Sequence, residues 1–278
     1  MDCTQIAGQT QRLYPENVQP DSPEDSAHKG QGDNSFQPPT NPTEMQGAID
    51  AREQLTNDGE IGSFAQVSIP ESMITSQRGI LFDFDPGLYR HSVAPADVLA
   101  SPVAFFDAVI SKFLARDPVL QKAEVRVSGV GVHAILRFRE PIQFPTVADR
   151  QRWAAIVKVI QRLLPVDPHC PGITALTRPV GSVNSKNGGL VCQIRAGEGV
   201  PFEDVLGLYE RARISPFRIV ASLLFGAEHI SPCPICASPR SRLDVLDKIG
   251  DCYESCGKVR LGQLIDVFLA PRPAKPKE

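Results

Sequence analysis

Two aspartates one residue apart close an apolar run, Gly79-Ile80-Leu81-Phe82-Asp83-Phe84-Asp85. Read as a strand, 79–85 puts Ile80, Phe82 and Phe84 on one face and Leu81, Asp83 and Asp85 on the other, with the two carboxylates about 7 Å apart. Paired hard oxygen donors suit Mg²⁺ or Mn²⁺, which prefer a few carboxylates plus substrate phosphates to a closed protein cage. Two such ions can align an attacking 3′-hydroxyl against a leaving pyrophosphate. A polar strand edge with no chemistry has the same pattern.

Further along, Ser128-Gly129-Val130-Gly131-Val132-His133 joins two apolar runs. Glycines in such a turn let backbone N–H groups approach an anion, and His133 on the following strand can donate to a phosphate oxygen. A plain hairpin with a satisfied histidine is the bland alternative. Asp167 follows an amphipathic stretch, and after it comes Arg178-Pro179-Val180-Gly181-Ser182-Val183-Asn184-Ser185-Lys186. Arg178 can grip phosphate oxygens bidentately and Lys186 can act as a point charge on a triphosphate. Asn184 can order this loop or bond to a sugar. An apolar strand ending in Asp-x-Asp also resembles the start of aspartyl-phosphate phosphatases of the haloacid-dehalogenase type, whose first aspartate is a nucleophile. Those enzymes want Thr or Val where Gly87 stands, and only Gly250-Asp251 loosely matches their late acidic motif.

The remaining chemistry is in sulfur. Of seven cysteines, four cluster as Cys233-x-x-Cys236 and, after fifteen residues, Cys252-x-x-x-Cys256. Four thiolates so spaced point to one tetrahedral Zn²⁺, structural because no coordination position is left open. His229 is a spare donor. Arg240, Arg242, Lys248, Lys258 and Arg260 give the segment phosphate-binding capacity, although a protein-docking role fits as well.

The elements that must hold these groups follow from periodicity. Strands are expected at 64–69, 79–85, 124–128, 132–138, 173–177 and 189–195. Helices are expected at 102–116, with Ser101 as N-cap and Pro102 at its first position, and at 148–164, 201–212 and 215–226. In 148–164 the apolar stripe is Trp153, Ile156, Ile160 and Leu163. This mix predicts an α+β domain over 61–228, a zinc-ribbon module over 229–270 and a flexible tail over 271–278. Residues 1–60 are polar, Pro- and Gly-rich and carry a balance of −8, while the rest carries +5. The first segment reads as a disordered acidic tail, with a transient helix over 43–55. A body at +5 is compatible with a polyanion and weak evidence for one. No run of 18 apolar residues exists, so no membrane span is expected. The N-terminus lacks a basic segment followed by an apolar one, so a cytoplasmic protein is expected.

The order Asp-x-Asp, Ser-Gly-x-Gly-x-His, Asp, Arg-Pro-x-Gly-Ser-x-Asn-x-Lys over residues 79–190 resembles the catalytic core of the archaeo-eukaryotic primase superfamily. It is most similar to the small primases and primase-polymerases of plasmids, phages and other mobile elements. The resemblance implies an RRM-like sheet with a flanking α/β unit and the site in the cleft between them. It implies metal binding by Asp83, Asp85 and Asp167. It also implies nucleotide contacts by His133, with Ser128, Gly129 and Gly131 beside it, and by Arg178, Asn184 and Lys186. The cofactors implied are two Mg²⁺ or Mn²⁺ ions, alongside the one structural Zn²⁺. The partners implied are a single-stranded DNA template and nucleoside triphosphates. With no Gly-x-x-x-x-Gly-Lys-[Ser/Thr] motif, unwinding would fall to a separate replicative helicase. A non-catalytic nucleic-acid-binding replication protein that keeps the fold is the competing expectation.

Overall fold

The computed structural model describes residues 70–270 except 92, 176 and 185. The expectations for 1–60, 64–69 and 271–278 lie outside the described residues. Four strands form the main sheet: β1 (Ser76–Phe84), β2 (Glu124–Ser128), β3 (Gly131–Gln143) and β4 (Val191–Arg195). Their order is β1-β3-β2-β4, and every neighbouring pair is antiparallel. The fold is thus α+β. The expected strand at 173–177 is absent. The described residues between Cys170 and Lys186 form no strand, and their one bridge is between Val183 and Leu190; Gly172 and Pro179 disfavour a ladder there.

Register decides which face does what. Asp83 lies opposite His133, which lies opposite Arg126, and Ser128 pairs with both Gly131 and Val191. One face of the sheet therefore presents Ile80, Phe82, Phe84, Val125, Val132, Ala134 and Leu136, all of them fully buried. Helices cover that face. The first runs through α1 (Ala96–Ala100), α2 (Pro102–Phe105), a π-turn at Phe106–Ile110 and α3 (Ser111–Leu114). Ser101 caps α2 by accepting from the Ala104 N–H at 3.3 Å, which sets its start as the sequence indicates. The others are α4 (Val147–Gln161), α5 (Phe202–Ile214) and α6 (Pro216–Phe225). In α4 the buried positions are Trp153, Val157 and Ile160 with Gln161, while Ile156 is only partly buried. The other face of the sheet carries Asp83, His133, Glu124, Arg126 and Ser128, with a small apolar patch of Leu81, Ile135 and Cys170.

Beyond α6 a second sheet forms from β5 (His229–Ile230), β6 (Leu243–Val245), β7 (Gly250–Cys252) and β8 (Gly257–Val259), followed by α7 (Leu261–Asp266). Its interior joins the main core: Leu243, Val245, Cys252, Leu264 and Phe268 belong to the same apolar cluster as Phe84 and Phe113. Phe268 stacks edge-on against Phe113, and the Arg90 Nε donates to the Leu269 carbonyl at 2.9 Å. A segment with such short strands has too little interior of its own, so it borrows one. Among the described residues no helix is long and apolar enough to cross a membrane.

At Gly250 the second sheet packs tightly against α6. A Cβ there would lie 2.6 Å from the ring of Phe217, which is fully buried and cannot move aside. Gly250→Ala is expected to cost about 1–3 kcal/mol of overpacking, read as a shift of the denaturant midpoint with the cysteine segment and the main domain still unfolding together.

Candidate active site

The open face of the main sheet gathers the acids. Asp83 sits one residue before the end of β1, its side chain 30% exposed. Asp85 follows in extended conformation and accepts from the Gly87 N–H at 2.8 Å. Asp167 arrives from the far end of α4. Its N–H donates to the Asp83 carbonyl at 2.8 Å, and Gln161 holds the same loop by donating to the Leu81 and Pro171 carbonyls at 2.8 and 3.0 Å. Lys158 adds a bond to the Cys170 carbonyl at 2.6 Å. One Asp167 oxygen accepts from the His169 N–H at 2.8 Å, with the His169 ring 3.3 Å away.

These placements show in the electrostatics of Asp83. Burial first, then the like charges of Asp167 and Asp85, push its carboxyl up to about 6, while Lys186 pulls it down. Lys186 therefore acts on the same carboxyl from the loop. His133, on the adjacent strand, has its Nε2 3.5 Å from the Asp83 Oδ1. Burial, then Arg178 and Arg126, drive its imidazole down to about 4. It is neutral near pH 7, so the contact with Asp83 is a long polar one between a neutral ring and a carboxylate. The two arginines that add to the effect of burial make this end of the face attractive to an anion.

The basic loop is tied to the hairpin. Asn184 is buried; its Nδ2 donates to the Ser128 carbonyl at 2.8 Å and its Oδ1 accepts from the Lys186 N–H at 3.1 Å. Of the two roles open to Asn184, the structure shows it ordering the loop. Gly129 has φ +88°, and a Cβ there would lie 2.3 Å from the Asn187 amide, so the turn needs glycine. At Gly131 a Cβ would make only ordinary contacts with the Phe84 carbonyl and the Asp83 carboxylate. Its lack of a side chain leaves room beside Asp83 and relieves no backbone strain. Sequence reasoning missed Glu124, Arg126 and Asn187. The alternation in Glu124-Val125-Arg126-Val127-Ser128 already placed Glu124 and Arg126 on the face of Ser128.

Three carboxylates crowded enough to raise one of them fit a divalent cation: they are hard oxygen donors, and positive charge would relieve their repulsion. They are less tightly drawn than the cysteines, which are the one group of three or more donors among the described residues with ligand atoms all within 4.8 Å of one another. Cys233 and Cys252 are buried, and Cys236 and Cys256 half-buried. Hydroxyl and backbone donors led by Ser241 pull Cys236 down to about 6, while burial pushes Cys256 up to about 12. Four neighbouring thiols cannot all ionise without a cation among them, which is the behaviour of a zinc site before loading. His229 turns away to Asp244, 3.1 Å off. Of the basic residues there, Arg242 pairs with Asp244 and Lys258 with Asp251.

No protein-family model matches the chain, and no curated protein does. Among solved structures, the AEP domain of the cyanophage S-2L primase-polymerase matches with a TM-score of 0.33 and 18% sequence identity, over 50% of this chain and 64% of that one. The chain thus spans less than two thirds of that domain's length.

Two outcomes are expected. An aspartate whose folded pKa is raised from 3.8 to about 6 destabilises the fold when ionised. The penalty is absent below about pH 4, grows as pH rises towards 6 and is full above it. Discounted for partial exposure, it amounts to roughly 1–2 kcal/mol. Asp83→Asn should therefore melt higher than wild type at pH 7.5 without added divalent cation. That gain should fade towards pH 4, and Mn²⁺ should stabilise wild type more than the variant. Separately, elemental analysis should find one zinc per chain, and its removal by a strong chelator should lower the melting temperature of the whole molecule, because Cys233 and Cys252 lie in the shared core.

Proposed function

We propose that this chain is a DNA-templated nucleotidyltransferase, a primase or primase-polymerase of the archaeo-eukaryotic type that makes primers for DNA replication. The observation that carries the reading is the convergence on one carboxyl. Asp85, Asp167 and Lys186 all act on Asp83, and His133 stands beside it with Arg178 and Arg126 acting on its ring. Acids and cations share one face of the sheet, as a triphosphate bound to divalent metal requires.

In this reading Asp83, Asp85 and Asp167 would hold two Mg²⁺ or Mn²⁺ ions, which supply charge neutralisation and activation of the attacking 3′-hydroxyl. Neutral His133 would donate a hydrogen bond to a phosphate oxygen, its other nitrogen needing no charge partner. Arg178 and Lys186 would neutralise the triphosphate while pyrophosphate leaves. Ser128, Gly129 and Gly131 would shape the turn over which the phosphates lie, and Asn184 would keep the loop in register with it. The finer proposals are a catalytic domain over 61–228, a zinc-ribbon module over 229–270 that contacts the template, a mobile-element setting and a separate helicase.

The RRM-like aspect of the proposal is the layering, helices on one face of a four-stranded antiparallel sheet and the site on the other. An RRM proper sets its last strand beside its first, whereas β4 here pairs with β2. The phosphatase alternative has less support. Its nucleophile belongs at the end of a parallel strand, yet β1 is antiparallel to β3, and Asp251 is paired with Lys258 in the second sheet. A pure nucleic-acid binder has no use for a part-buried Asp83 with Asp167 and Asp85 as like-charged neighbours.

The test is incubation of the chain with single-stranded template, Mn²⁺ and labelled ribo- or deoxynucleoside triphosphates. Templated product is expected from wild type. Asp83→Ala combined with Asp85→Ala should lower incorporation by at least about 1,000-fold, the scale of losing metal-assisted charge stabilisation, with the circular dichroism spectrum unchanged. Full activity in that variant overturns the assignment.

A further inference from the structure

An ion cluster around a buried carboxylate lies beside the proposed phosphate site, with Arg137 at its exposed edge. Glu124 is 4% exposed and Arg126 8%. The Nε of Arg126 and the Nε of Arg137 donate to different oxygens of Glu124. Burial pushes Glu124 up, but the hydrogen bonds from Arg137 and Arg126 outweigh it and hold the carboxyl below its usual range. The cluster is thus two guanidiniums on one carboxylate, with a positive charge in excess on the site face. A charge costs several kcal/mol to bury, so it is retained where its geometry is used.

That geometry leads to the basic loop. With its Nε on Glu124, the Arg126 guanidinium turns its NH1 to the Arg178 carbonyl, 2.9 Å away. Arg126 is also the cross-strand partner of both His133 and Gln193. It therefore joins three parts of the site: the strand bearing His133, the strand that follows the loop, and the point where the loop leaves with Arg178.

We propose that Arg126, oriented by Glu124, is a positioning residue that sets the Arg178 end of the phosphate-binding loop. The proposal rests on the nucleotide-binding reading of the face. A rigid strand fixes the Arg126 backbone, the carboxylate fixes the rotation of its planar guanidinium, and the remaining donor fixes the loop. Lysine offers the charge without the fork, so Arg126→Lys keeps the electrostatics and loses the second contact.

The experiment uses the full chain and a fluorescent nucleoside triphosphate in Mn²⁺, with primer extension alongside. Arg126→Gln should weaken triphosphate binding by about tenfold or more, and Arg126→Lys by roughly threefold, with kcat changed less than KM. Adding Arg178→Gln to Arg126→Gln should give little loss beyond Arg178→Gln alone, because the two act as one unit. Unchanged binding in both Arg126 variants, or losses that multiply in the double variant, overturns the proposal. If Arg126→Gln does not fold, the Arg126→Lys binding constant decides alone. A wild-type chain that binds triphosphate without extending a primer removes the polymerase reading and leaves this one standing; a wild-type chain that binds no triphosphate removes both.

Discussion

The register of β3 between β1 and β2 is the constraint on which the rest of the molecule depends. Because side chains alternate, one residue of slip in β3 would carry Val132, Ala134 and Leu136 to the open face and bury His133 beneath the helices, away from Asp83 and Arg126. Those three side chains are fully buried, so such a slip forfeits the share of the core that β3 supplies. The hydrophobic effect that holds the helices on one face thereby fixes, to within one side chain, which charged groups meet on the other.

What meets there is costly by the standards of a stable fold. Asp83 is held among like charges, His133 is stripped of its proton and Arg126 is buried against a shared carboxylate. Main-chain and amide bonds offset this by stitching the loops to the sheet: Gln161 on Leu81, Asp167 on Asp83, Asn184 on Ser128. The strain is electrostatic and local, and it would be relieved by the ligands proposed for this face, a divalent cation and a polyphosphate. Function and instability share an origin in such a site.

The cysteine segment obeys a different constraint. Its strands are two or three residues long, and a sheet that small does not bury enough to stand alone. Four thiols give it an internal cross-link once metal is bound, and packing against α6, with Phe217 against Gly250, gives it a wall. Cys233 and Cys252 belong both to the sulfur cluster and to the main core, so a metal held there would tie the two together.

Local patterns in the chain were enough to read the strand bearing Asp83, the hairpin before His133, the helices on either side and the sulfur cluster. Each depends on spacing that the backbone period converts directly into a face or a turn. The loop over 170–186 was misread in part, because a short apolar stretch carries the same signal whether it pairs in a sheet or lies across one. The contacts of Glu124, Arg126 and Asn184, the different demands at Gly129 and Gly131, and the fusion of the two cores come from tertiary structure. Those depend on contacts between residues tens of positions apart, such as Arg126 with Arg178 and Phe217 with Gly250. Sequence periodicity says which way a side chain points; only the packed chain says what it meets.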